Sequence, residues 1–237
     1  MARTCCALLV VCFLCCNNAF SAANDENRTV AVSYVVRSLG SDIGTVRANT
    51  VGTASDNDFH ADVNVIVRLW LLNFSFTSSE SASIRGGKLV SYNKIIDTKG
   101  QRREITGKLN GDIFKIVIRN GDKEERKNIP ATGYITTNIE SPEMTLTPGE
   151  VRSVRIADLE NAVIVDREYR YVAEEHAEID GRDIRVMVAD FADKFGEGRR
   201  WTAIIGGFPI VLRQEGKEKT GLFNPSYKVR QTRIALD

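Results

Sequence analysis

The 237 residues carry 32 Lys and Arg against 31 Asp and Glu, a net charge of +1, and 43% of them are hydrophobic. That balance creates no global field to attract nucleic acid or an anionic membrane surface. The length suits one sizeable core, within the range of a single all-β domain.

The chain opens on Met1-Ala2-Arg3, an apolar run from Cys5 to Cys16, and the small residues of Ala19-Phe20-Ser21-Ala22-Ala23. A positive start, a short apolar centre and small residues before a cleavage point predict a signal peptide over residues 1–23, cut after Ser21 or Ala23. An apolar run of about a dozen residues is short for a membrane-spanning helix, which needs about 20, so no transmembrane segment is expected after cleavage. All five cysteines, at positions 5, 6, 12, 15 and 16, fall in that leader. The mature chain, read as one β domain over residues 24–237, would then hold no disulfide, zinc-thiolate site or cysteine nucleophile. An exported chain without cysteine points to a bacterial periplasm ahead of full secretion.

After a polar leader, Val30, Val32, Tyr34 and Val36 share one face of a strand. A turn follows at Ser38 to Asp42, and the return strand starts at Ile43. The longest alternation begins at Phe59 and runs through Ala61, Val63, Val65, Val67 and Leu69 at a period of two. At Trp70 to Leu72 the phase slips, and Leu72, Phe74 and Phe76 take over the apolar parity. One extra residue of this kind is a β-bulge, so Phe59 to Ser79 predicts a single long strand bent in its middle. Hairpin turns are expected at Gly86-Gly87, Lys99-Gly100, Asn110-Gly111 and Asn120-Gly121-Asp122. The stretch from Pro130 to Glu150 reads as loop, with a short helix at Thr136 to Ile139. Further strands are expected at Val151 to Ile156, Ala162 to Val165, Glu168 to Glu175, Arg182 to Phe191, Arg200 to Ile205 and Phe208 to Gln214. Ala192 to Gly198 reads as a loop and Glu215-Gly216-Lys217 as a turn. The fold class is all-β: one strongly curved antiparallel sheet, a half-barrel or barrel, of about ten to twelve strands with few short helices.

Chemistry-bearing patterns are sparse. His60 and His176 lie far apart without a partner at ligand spacing, so they read as solvated surface residues, and no metal is expected. No Gly-x-Ser-x-Gly or phosphate-loop signature is present, so no catalytic residue and no cofactor can be assigned. Glu80 shares the parity of Phe74 and Phe76 and so points inward, where it needs a partner; Arg102 and Arg103 are the candidates.

Tyr34, Gly40-Ser41-Asp42-Ile43-Gly44, Glu80, Gly87-Lys88-Leu89, Lys99-Gly100, Trp201 and Gln214-Glu215-Gly216 together resemble a group of exported bacterial proteins of uncharacterised function. That group is similar in architecture to LolA and LolB, periplasmic lipoprotein carriers built as curved half-barrels with an apolar concave side. The resemblance carries over no catalytic residue, and the bent apolar strand together with the lack of a catalytic constellation points to a binding protein. Its expected apolar face takes Val63, Val65, Val67, Leu72, Phe74 and Phe76, together with Glu80 and Trp201, and offers them to a lipid-like ligand or lipoprotein. A second reading is an envelope-integrity protein that pairs its sheet edges with protein partners. A third is a hydrolase with Glu80 or His176 as base.

Overall fold

The computed structural model describes residues 26–38, 40–69, 72–134, 136–137, 139–179, 181–219 and 226–236, with backbone alone at 67–69 and 72–73. The leader expected over residues 1–23 lies outside them.

Fifteen strands form one sheet. They are β1 (Arg28–Ser38), β2 (Ser41–Gly52), β3 (Asn57–Leu69), β4 (Leu72–Arg85), β5 (Lys88–Thr98), β6 (Gln101–Asn110), β7 (Ile113–Asn120) and β8 (Lys123–Pro130) in the first half. The second half has β9 (Thr136–Thr137), β10 (Val151–Asp158), β11 (Val163–Ile179), β12 (Arg182–Ala192), β13 (Gly196–Ile205), β14 (Phe208–Glu218) and β15 (Ser226–Leu236). Their spatial order is β8-β7-β6-β5-β4-β3-β2-β1-β15-β14-β13-β12-β11-β10-β9. The first and last described strands therefore lie side by side in the middle of the sheet, with β1 paired to β15, and each half is an antiparallel meander. Among the described strands only β9 runs parallel to its neighbour, β10.

The curvature follows from the connection between the two edges. A flat sheet of this many strands, about 4.8 Å apart, would hold β8 and β9 well over 60 Å from one another. Yet Pro130 ends β8 and Thr136 begins β9, and six residues span at most about 20 Å. The sheet must roll until its edges approach at that corner. A 3-10 turn at Ala131–Gly133 makes the crossing, and Arg155 Nη1 of β10 donates to Gly133 O at 3.4 Å.

The sequence expectation of ten to twelve strands is too low, for identifiable reasons. Phe59 to Ser79 is not one bent strand. Leu69 pairs with Leu72, Val67 with Phe74, Val65 with Phe76 and Ala61 with Glu80, so β3 and β4 form a hairpin. Trp70 and Leu71, where the bend was expected, lie outside the described residues. Facing residues across a two-residue connection differ in parity, so a hairpin shifts the phase by one as a bulge does. The two apolar runs still share a face, because directly opposed residues of an antiparallel pair point the same way. The strand β8, Lys-Glu-Glu-Arg-Lys-Asn-Ile-Pro, has only Ile129 buried and shows no apolar alternation. The expected strands at 162–165 and 168–175 are one, β11, of 17 residues. The helix expected at Thr136 to Ile139 is replaced by the two-residue β9, and Pro142–Thr145 forms a 3-10 turn. Residues 215–217 continue β14 rather than turning, and the loop at 192–198 is mostly strand, with 193–195 as its turn.

The concave side of β1 to β7 is filled by the chain itself. Strand β14 pairs with β15 only from Arg213 to Lys217, while β15 continues alone along β1. The freed tip of the β13–β14 hairpin is buried on both faces: Thr202, Ala203, Ile210 and Val211 are all 0% exposed. It packs in the same core as Val32, Val46, Val65 and Phe76, and a Cβ on Gly206 at its turn would stand 2.7 Å from Val30 Cγ2. The β10–β11 turn enters the same core through Ala157, Leu159 and Ala162. A smaller core of Leu146, Val154, Ile156, Val165, Tyr169, Ala189 and Phe191 lies beneath the 3-10 turn at 142–145.

Candidate functional site

The residues expected to line a binding face are core. Val63, Val65 and Phe76 are 5%, 0% and 2% exposed, and Phe74 packs partly buried against them. The side chains of Val67 and Leu72 lie outside the described set. Trp201 is half-buried against the same core, with the Arg213 guanidinium 4.4 Å from its ring centre, a cation–π contact that covers one face of the indole.

Glu80 does point inward, at 4% exposure. Its partners are not Arg102 or Arg103. Tyr92 donates its hydroxyl to Glu80 Oε1 at 2.7 Å, and Lys94 Nζ lies 3.6 Å from Oε2. Register explains this, since Lys94 stands directly opposite Glu80 on β5. Lys94 also meets Glu160 Oε2 at 2.6 Å, on the β10–β11 turn. Arg103 reaches that turn from the side and donates to Glu160 O at 2.8 Å. Burial pushes the Glu80 carboxyl above the usual range, against the pull of Lys94 and the Tyr92 hydrogen bond.

A second buried polar network ties the 142–145 turn down. Glu143 Oε1 accepts from Arg200 Nη1 at 3.2 Å and from Thr202 Oγ1 at 3.0 Å. Arg200 Nε donates to Gln214 Oε1, whose Nε2 donates to Tyr227 Oη, at 2.9 and 2.8 Å. Charged groups this deep need such partners, since an unpaired one would cost several kcal/mol.

The open concavity lies on the opposite face of these strands. Alternation sends Arg199 and Glu215 outward where Arg200 and Gln214 go inward. Register then builds one cross-strand row: Asp190 opposite Arg199, Arg199 opposite Glu215, Glu215 opposite Lys228, and Lys228 opposite Arg37. The neighbouring row sets Glu197 opposite Lys217. Together they line a groove of about 710 Å³. Its charges are held in ion pairs: Arg199 Nε to Asp190 Oδ1 at 2.6 Å, Lys228 Nζ to Glu215 Oε1 at 3.1 Å, and Lys217 Nζ to Glu197 Oε1 at 2.8 Å. Hydrogen bonds from Lys217 and Lys219 hold the Glu197 carboxyl down to about 2. A surface of alternating, positioned charge recognises a complementary pattern of charge, not an apolar chain.

His60 and His176 are exposed, and each pairs with one carboxylate, Asp62 at 3.1 Å and Asp183 at 2.8 Å. Among the described residues no group of three or more His, Cys, Asp or Glu could hold a metal ion. No described helix is long and apolar enough to cross a membrane.

Comparison with known proteins places the chain by family and fold. Residues 34–187, more than half of the chain, match the model of a domain of unknown function, DUF6134. The chain belongs to this family. A crystal structure of a beta-barrel-like protein of domain of unknown function DUF1849 from Brucella abortus is similar over 91% of this chain and 99% of that one. The TM-score is 0.63 at 8% sequence identity, so the likeness is one of fold. No curated protein matches the sequence.

Sequence reasoning did not find the groove. Asp190, Arg199, Glu215, Lys217 and Lys228 are ordinary strand charges one at a time. They become a site only through the register of four strands.

Proposed function

We propose that this DUF6134 protein is a non-enzymatic binding protein, exported to the periplasm, that holds an extended segment of a protein partner in the charged groove over β12 to β15. One observation carries the reading. The concave interior is occupied by the protein's own hairpin tip and turn, while the open groove is lined by alternating charge. A lipid-like ligand, and the likeness to the LolA and LolB carriers with it, would call for an open apolar interior where Val65 and Phe76 are packed. The export step rests on the leader and its cysteines.

The test is capture from an envelope fraction by wild-type protein and by the double variant R199E/K228E, which reverses two groove charges. Wild type is expected to hold one stoichiometric protein at about 0.1 M salt and to lose most of it at about 1 M, where screening acts within about 3 Å. The double variant should fold and fail to capture. Equal capture by both proteins would contradict the groove.

A further inference from the structure

We propose that Lys94 and Glu160 condense to an intramolecular amide that staples the β10–β11 turn to β5 across the interior. The observation is geometric. Lys94 Nζ stands 2.6 Å from Glu160 Oε2, with both side chains 2% exposed. Glu80, buried beside them, sets its Oε2 3.6 Å from the same nitrogen. Tyr92, Ile96 and Leu159 are buried in the same core. The amine, the carboxyl carbon it would attack and a second carboxyl group are thus held together without bulk water.

Each part has a role in the chemistry. Desolvation disfavours the buried ion pair relative to its neutral form, so proton transfer from the Lys94 ammonium to the Glu160 carboxylate leaves an amine facing a carboxylic acid. The lysine nitrogen then adds to Glu160 Cδ. Glu80, whose carboxyl burial favours in its protonated form, gives a proton to the departing hydroxyl and takes one from the attacking nitrogen, and so returns to its starting form. One C–N bond forms, one C–O bond breaks, and one water leaves. No oxidant or co-reactant is needed, and two buried charges disappear.

The cluster is preorganised from both sides. Register fixes Lys94 opposite Glu80. On the turn, Arg103 holds the Glu160 carbonyl, while Asn161 N and Nδ2 donate to the two Asp158 carboxylate oxygens at 3.0 and 2.8 Å. Groups fixed in this way react at effective concentrations of about 10⁵–10⁸ M. The bond would join residues 66 positions apart in a chain whose cysteines all lie in the leader. It would do there what a disulfide does in other exported domains.

The experiment is the intact mass of the folded, full-length-processed protein, followed by protease digestion and peptide fragmentation. The expected chain is about 18 Da, one water, below its sequence mass, and the digest contains a branched peptide joining the Lys94 and Glu160 segments. Lys94→Arg keeps the charge and cannot condense, so it should show the unmodified mass. Glu80→Gln keeps a hydrogen-bond acceptor for Tyr92 but cannot shuttle a proton, so the branched peptide should fall at least tenfold. An unmodified wild-type mass overturns the proposal. So does a loss of one water without the branched peptide, as from a succinimide at Asp180-Gly181. Full condensation in Glu80→Gln would overturn the role given to Glu80. Should either variant fail to fold, the wild-type mass and its branched peptide still decide.

Discussion

Val65 is fully buried opposite Phe76, and Asn64 beside it is exposed on the other face. An aspartate at position 65 would bury a charge with no partner, so Val65→Asp should destabilise the protein by roughly 3 kcal/mol or more, if it folds at all. Asn64→Asp should stay within about 0.5 kcal/mol of wild type. Urea titration followed by tryptophan fluorescence measures both. At this scale much was legible: alternation picked out Val30, Val32, Tyr34 and Val36, then Phe59, Ala61, Val63 and Val65, all of them buried, and parity alone turned Glu80 inward. Its partner was not legible. Arg102 and Arg103 stand out in the sequence as an adjacent basic pair, but Lys94 sits opposite Glu80 because the β4–β5 register shifts between Ser83 and Ile84, just before the Gly86-Gly87 turn. Glu160 meets Lys94 only because the sheet rolls.

Elements were legible where turns carry glycine. Asn110-Gly111 and Lys99-Gly100 mark connections whose backbone adopts positive φ, and they separate β5, β6 and β7. The β3–β4 connection was missed because Trp70-Leu71 has no glycine, asparagine or proline to mark it. The charged edge strand β8 was missed because a strand exposed on both faces shows no hydrophobic period. Charge on that edge protects it from pairing with other chains. Glycines inside strands carry a different message. A Cβ at Gly107 on β6 would stand 2.4 Å from the Phe114 ring, which is itself buried in the core. Gly107→Ala should therefore cost about 1–3 kcal/mol by overpacking. Gly111→Ala, in a turn at φ +59° with open space around it, should cost about 1 kcal/mol through backbone strain alone. A comparison of the two urea midpoints checks the distinction: if Gly107→Ala were as stable as wild type, the close packing of Phe114 on β6 would be contradicted.

At the scale of the whole molecule the sheet rolls, and the freed tip of β13–β14 turns into the hollow it makes. The sequence announced a curved apolar face. It could not show what that face meets, because the filling segments lie far along the chain, in the β10–β11 turn and the tip of the β13–β14 hairpin. Ala203, Ile205, Phe208 and Ile210 read as an ordinary hairpin until β14 is seen to part from β15 at Arg213. That departure converts an expected apolar cavity into core and leaves the outward rows of β12 to β15 as the open surface. The same rolling brings Glu160 to Lys94, so the filled interior and the proposed staple have one structural origin.

Whether the interior is occupied by protein is the central question. Native mass spectrometry of the chain purified from envelope fractions under mild conditions tests this directly. A filled interior gives a spectrum of the polypeptide without lipid, unchanged when detergent or phospholipid is added during purification. A stoichiometric lipid adduct, lost on substituting a residue of the Val63, Val65 and Phe76 face, would contradict it.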